Sequence, residues 1–222
     1  MMGAQNRSNP WMICLLAALP LTRALAAESI SGRVTEPDGK AIAQAVVFVQ
    51  SAVVPSGAPA SGHAAAIMDQ LDKTFVPGLL PVVVGTHVHF PNHDQIQHHV
   101  YSFSAAKTFE LPLYRGEEAP PVVFDKVGVV KIGCNIHDWM SGIILVLPTA
   151  QFAVTDQNGR FALPDLIEGT YTLLVWHALS KSKPEETART VQTGLTPTDV
   201  IFTLNLEAVR HRPAVHGARG EP

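Results

Sequence analysis

Residues 134 to 140 read Cys-Asn-Ile-His-Asp-Trp-Met and place a thiol, an imidazole and a thioether at Cys134, His137 and Met140, a Cys-x2-His-x2-Met spacing. These are soft or borderline donors. A second imidazole stands upstream at His98 or at its neighbour His99. One Cys, two His and one Met form the donor set of a trigonal His2Cys copper site with a weak axial thioether. Structural zinc favours four strong ligands, several of them Cys, and a thioether is a poor fourth. Met140 alone would read as core filler and His137 alone as a surface residue. Their joint spacing with Cys134 is what points to copper.

These donors need a rigid frame, and the surrounding sequence is built of short strands. Val130, Ile132 and Cys134 fall on one face by the strand period of two, so Cys134 should enter the site from the core side. His137 is expected in the loop that follows, its imidazole edge at the surface between Ile136 and Trp139. Those two residues read either as a packed loop with Trp139 shielding the metal or as an apolar rim where a partner docks. His87 and His89 share a strand face and, with His93, could be imagined as a second metal site. Half-buried strand residues are the better account of them. His177, His211 and His216 lack a partner at metal-ligand spacing.

The first 27 residues have the pattern of a secretory signal: Arg7, an apolar run from Trp11 to Leu21, and Ala24-Leu25-Ala26 as a small-residue cleavage site. The run is short for a membrane span, so export to the periplasm without stable membrane insertion is expected. Cleavage would remove Arg7, Arg23 and Cys14, taking the formal charge from −3 to about −5 and leaving Cys134 as the one cysteine in an oxidising compartment. A lone exported Cys is a small buried hydrophobe or a ligand. A small negative charge with no extended Lys/Arg block speaks against a nucleic-acid partner.

Residues 28–66 hold two strand-like runs, with a turn at Pro37-Asp38-Gly39, followed by an Ala/Ser/Pro/Gly-rich linker. Complementary strands return in 150–206, where Asn158-Gly159 is a hairpin signal and Tyr171, Leu173 and Val175 alternate as an inward face. Between them, 67–149 reads as a further run of short strands. An all-β chain is expected, with one β-sandwich inserted into a second, smaller one. Insertion at an exposed loop leaves a host core undisturbed when the inserted ends lie close together. A disordered tail is expected over 207–222.

The run Val88-His89-Phe90-Pro91-Asn92 with Asp94, the pair His98-His99 before Val100, Gly128 ahead of the strand and the short Cys-x2-His-x2-Met loop resemble the cupredoxins, of plastocyanin and amicyanin type. The flanking runs Gly32-Arg33-Val34 and Ala45-Val46-Val47 resemble a carboxypeptidase-regulatory-like sandwich, of immunoglobulin or transthyretin kind. Together they are similar to exported proteins of the methylamine-utilisation-like group. The resemblance implies a Greek-key sandwich and a type 1 copper site of His98, Cys134, His137 and Met140. It also implies one-electron exchange, as a monomer, with a redox protein such as a cytochrome or a dehydrogenase. The Asn that follows the first ligand in that family is His99 here, and Asp138 stands where related loops often carry Pro. No nucleophile elbow or Gly-rich nucleotide loop is present, so an enzyme is not expected. The alternative is a periplasmic protein that stores, delivers or senses copper without electron transfer.

Overall fold

A computed structural model describes residues 28–50, 65–116, 119–194 and 198–208. The signal-like segment, most of the expected linker and nearly all of the expected tail lie outside the described residues. Two strands come first, β1 (Glu28–Thr35) and β2 (Val46–Val49). The middle of the chain supplies β3 (Ala65–Ile67), β4 (Asp69–Leu71), β5 (Thr74–Val76), β6 (Leu79–Val83), β7 (Thr86–His89), β8 (His98–Ser104), β9 (Lys107–Tyr114), β10 (Val122–Phe124), β11 (Gly128–Cys134) and β12 (His137–Leu147). Then follow β13 (Phe152–Val154), β14 (Arg160–Leu166), β15 (Gly169–Trp176), a 3-10 turn over Pro184–Thr187, β16 (Arg189–Thr193) and β17 (Thr198–Thr203). The fold is all-β, as expected. Among the described residues, no helix is long and apolar enough to cross a membrane.

Strand pairing separates the chain into two sets. The first and last stretches build the sheets β14-β1-β17 and β13-β2-β15-β16, which enclose a core of Ile30, Val47, Leu163, Leu173, Val175 and Phe202. The middle stretch builds the sheet β6-β12-β11-β8-β9 and the smaller β10-β7-β3 and β4-β5 pairings, around Met68, Phe75, Phe90, Phe124, Ile132 and Ile144. β3 begins at Ala65, inside the expected linker, because its backbone pairs in parallel with β7. The donors therefore sit in a sandwich whose strands come from one continuous stretch.

The two sets share a third apolar cluster. Val46, Phe48 and Leu174 from one side meet Leu145 and Leu147 from the other, with Leu79, Val129 and Trp176 packed at its margin. This explains why every residue of β2 is buried, Val47 and Val49 facing the first core and Val46 and Phe48 the shared one. A strand covered on both faces loses the apolar-polar alternation and reads as an unbroken apolar run.

Asn158-Gly159 does form a tight turn, closed by the Gly159 amide donating to the Asp156 carbonyl at 2.9 Å. The strands it joins are not partners, however: β13 pairs with β2 and β14 with β1, so the turn carries the chain between two sheets. Gly159 has φ of +71°, and a Cβ there would lie 2.4 Å from the Val34 carbonyl oxygen, which no side chain tolerates.

Candidate metal centre

β11 ends at Cys134, with Val130, Ile132 and Cys134 all buried on one face as the period of two requires. The chain then turns over Asn135 and Ile136 alone, and His137 opens β12, paired in register with Cys134 across a bulge after Gly133. The expected open loop is therefore a tight hairpin. His137 lies on a strand rather than in a loop, because the inter-strand pairing of β11 and β12 continues to the turn. Met140 follows on β12, 2% exposed and in the same apolar cluster as Cys134.

The second imidazole comes from β8, which pairs antiparallel with β11 through Gly133 with Tyr101 and Cys134 with Val100. In the pairing of β8 with β9 the register shifts between His98 and Val100, yet His98, Val100 and Ser102 stay buried in alternation along β8. His98 is fully buried and its Nδ1 lies 3.6 Å from Cys134 Sγ; His137 Nδ1 lies 3.7 Å from the same sulfur. The two imidazole rings are 5.0 Å apart between centroids. One donor atom from each of the three residues lies within 4.8 Å of the others. An ion bonded to sulfur and nitrogen at about 2.0–2.3 Å, with angles between tetrahedral and trigonal, separates such donors by roughly 3.6–3.8 Å. The three side chains fit one shared ion.

His99 points elsewhere. Its ring stands 6.3 Å from that of Tyr101, and its Nε2 lies 2.9 Å from Glu110 Oε1 but outside hydrogen-bond geometry. Its backbone acts separately from its ring, because the Asn135 amide donates to the His99 carbonyl at 3.1 Å and fastens the turn to β8. His93 meets Asp69 at 2.8 Å, and His87 and His89 lie on β7. None of these three joins a metal-holding group of three or more donors among the described residues.

Behind His98 stands Asp94, whose Oδ2 is 2.7 Å from His98 Nε2. The same carboxylate accepts the backbone amides of Asp72 at 2.7 Å and Lys73 at 2.9 Å. Both donors sit at the tip of the β4–β5 hairpin in left-handed conformations, with φ of 53° and 57°. Burial works to raise the Asp94 pKa, but the bonds from His98, Lys73 and Asp72 outweigh it and hold the carboxyl below its usual range. Asn92 anchors this segment, accepting the Asp94 amide on Oδ1 and donating to the carbonyls of Ile96 and Tyr114. Tyr114, its hydroxyl bonded to Gln70 and the Phe90 carbonyl, is pushed up to about 12 by burial. Asp94 belonged to the sequence motif, yet only the folded geometry aims it at His98.

At the surface, Ile136 is 48% and Trp139 69% exposed, flanking the half-buried His137, whose ring stands 5.3 Å from the indole. Asp138 between them is exposed. Trp139 is thus an exposed rim residue and not a buried shield.

No family model and no curated protein matches the chain. Among solved structures it is similar to a purple cupredoxin from Nitrosopumilus maritimus, at 26% identity over 38% of this chain and 99% of that one, with a TM-score of 0.33. It is also similar to an oxidised amicyanin variant, at 23% identity over 46% of this chain and 91% of that one, with a TM-score of 0.35. A Cu-containing nitrite reductase from Thermus scotoductus SA-01 aligns at 28% identity over 42% of this chain but only 25% of its own length, with a TM-score of 0.37. Each likeness covers less than half of this chain.

Proposed function

We propose that this chain is an exported copper protein that passes single electrons between redox partners, with His98, Cys134 and His137 as strong ligands and Met140 as a weak fourth. The observation that carries the reading is the convergence of His98 Nδ1 and His137 Nδ1 on Cys134 Sγ at 3.6 and 3.7 Å. Copper bound there supplies a one-electron couple. The thiolate and two neutral imidazoles suit that metal, and a thioether favours copper over zinc. His98, Cys134 and Met140 are buried and held by paired strands, so the donors are fixed by packing before any ion arrives. Nearly constant donor positions favour fast electron exchange over release of the metal. His137 is the ligand that reaches toward solvent, and the exposed Ile136 and Trp139 around it provide the apolar contact area a docking protein needs.

The test is a visible absorption spectrum and metal analysis of the copper-loaded, oxidised mature protein. An intense thiolate-to-copper band with about one copper per chain is expected, and Cys134→Ser should abolish the band. A Cys134→Ser protein that keeps both colour and stoichiometric copper would sink the site. A wild-type protein that binds Cu(I) yet gives no stable coloured Cu(II) form would instead support storage or delivery.

A further inference from the structure

A metal site built on histidine needs a particular ring nitrogen to be free of its proton. Neutral imidazole carries one N–H, and the group bonded to one nitrogen decides the state of the other. His98 presents Nδ1 to Cys134 at 3.6 Å and Nε2 to Asp94 at 2.7 Å. The Asp94 carboxylate also takes the amides of Asp72 and Lys73, so its other contacts here are donors, as suits an acceptor-only group. Opposite such a group the favoured arrangement of His98 has the hydrogen on Nε2 and the lone pair on Nδ1, directed at Cys134 and His137.

We infer that Asp94 is the positioning residue of this centre: its carboxylate, held by the β4–β5 hairpin tip, fixes His98 as the Nε2–H tautomer and thereby readies Nδ1 for the metal. This rests on reading the His98, Cys134 and His137 group as a metal centre. Three features make the carboxylate more than a chance neighbour. His98 is fully buried, so water cannot substitute for the missing acceptor. Asp94 is itself only 11% exposed at its side chain. Its backbone is tied in turn, the Asp94 amide donating to Asn92 Oδ1 at 3.0 Å. The hairpin tip, remote from Cys134 in sequence, thus becomes part of the metal site's support.

Asp94→Asn is the informative change, because an amide offers a donor as well as an acceptor and permits either imidazole tautomer. The experiment uses the full mature chain, stripped of metal and labelled with nitrogen-15 at histidine, and reads the His98 tautomer by two-bond proton–nitrogen correlation NMR. Wild type should show His98 with its hydrogen on Nε2. Asp94→Asn should populate the Nδ1–H form, and its Cu(I) affinity in chelator competition should fall about 10- to 100-fold, the usual effect of losing such an outer partner. Amide hydrogen exchange at Asp72 and Lys73 should accelerate in Asp94→Ala, which has no oxygen for them. A wild-type His98 protonated on Nδ1 would overturn the inference without any variant, and so it can be decided even if the variants fail to fold. Unchanged tautomer and unchanged Cu(I) affinity in a folded Asp94→Asn protein would overturn it as well. Wild-type protein with the expected tautomer but no bound copper would support the hold of Asp94 on His98 while sinking the copper reading itself.

Discussion

Two adjacent imidazoles on β8 have opposite duties, and strand geometry assigns them. Successive side chains leave a strand on opposite faces, so His98 and His99 cannot both meet Cys134. His98→Ala should therefore remove the visible copper band, whereas His99→Ala should keep it, losing only a partly exposed contact with Glu110; absorption spectra of the two variants check this, and the reverse pattern would exchange the ligands. The Cys-x2-His-x2-Met spacing was readable from sequence because these donors are scarce and their separation is characteristic. Which of the two histidines turns inward was not readable from periodicity alone, because the period of two fixes only that they face opposite ways; the structure buries His98 in line with Val100 and Ser102 and leaves His99 partly exposed. Nor was the duty of Asp94. Carboxylates are common in loops, and only the approach of the β4–β5 hairpin makes this one a shared acceptor.

At the scale of elements, β11 showed its buried face in advance through Val130, Ile132 and Cys134, because only one face of it meets the core there. β2 showed only that it is apolar; that its two faces serve different cores depends on what lies against Phe48, which no local pattern encodes. Phe48→Ala should cost about 3–5 kcal/mol, the range for emptying a buried aromatic site, measured by chemical denaturation. It should leave the copper spectrum intact, because Phe48 packs on Leu145 and Leu147 and not on the donors. Loss of the band at full copper loading would mean that the shared cluster and the metal centre are mechanically coupled. The hairpin signal at Asn158-Gly159 gave the turn correctly but not the destination of its strands, which long-range pairing decides.

For the whole molecule, the sandwich-within-sandwich organisation is a proposal with a direct test. The expected 67–149 unit, extended to residue 65 so that β3 stays whole, should bind copper when expressed alone, since the core around the donors is drawn from the middle stretch. The fragment should also self-associate in sedimentation, because Leu145 and Leu147 lose their cover; a fragment unfolded even with copper would show that the two sandwiches depend on one another. Stability of the full chain should depend on His177, whose burial lowers its pKa despite a backbone bond to Ala43 and the charge of Glu36. The unfolded chain then takes up the proton first, so stability present above about pH 6.5 declines as pH falls through that value toward the folded pKa. His177→Gln should flatten the change in denaturation midpoint between neutral and mildly acidic buffer. The shared cluster has a further effect through its location along β12. His137 opens that strand and Leu145 lies eight residues further along it, roughly 27 Å away at the usual strand rise. A partner footprint of about 800 Å² has a radius of roughly 16 Å. Measured along that strand, the shared cluster at Leu145 lies beyond such a footprint centred on His137, the proposed point of electron exchange.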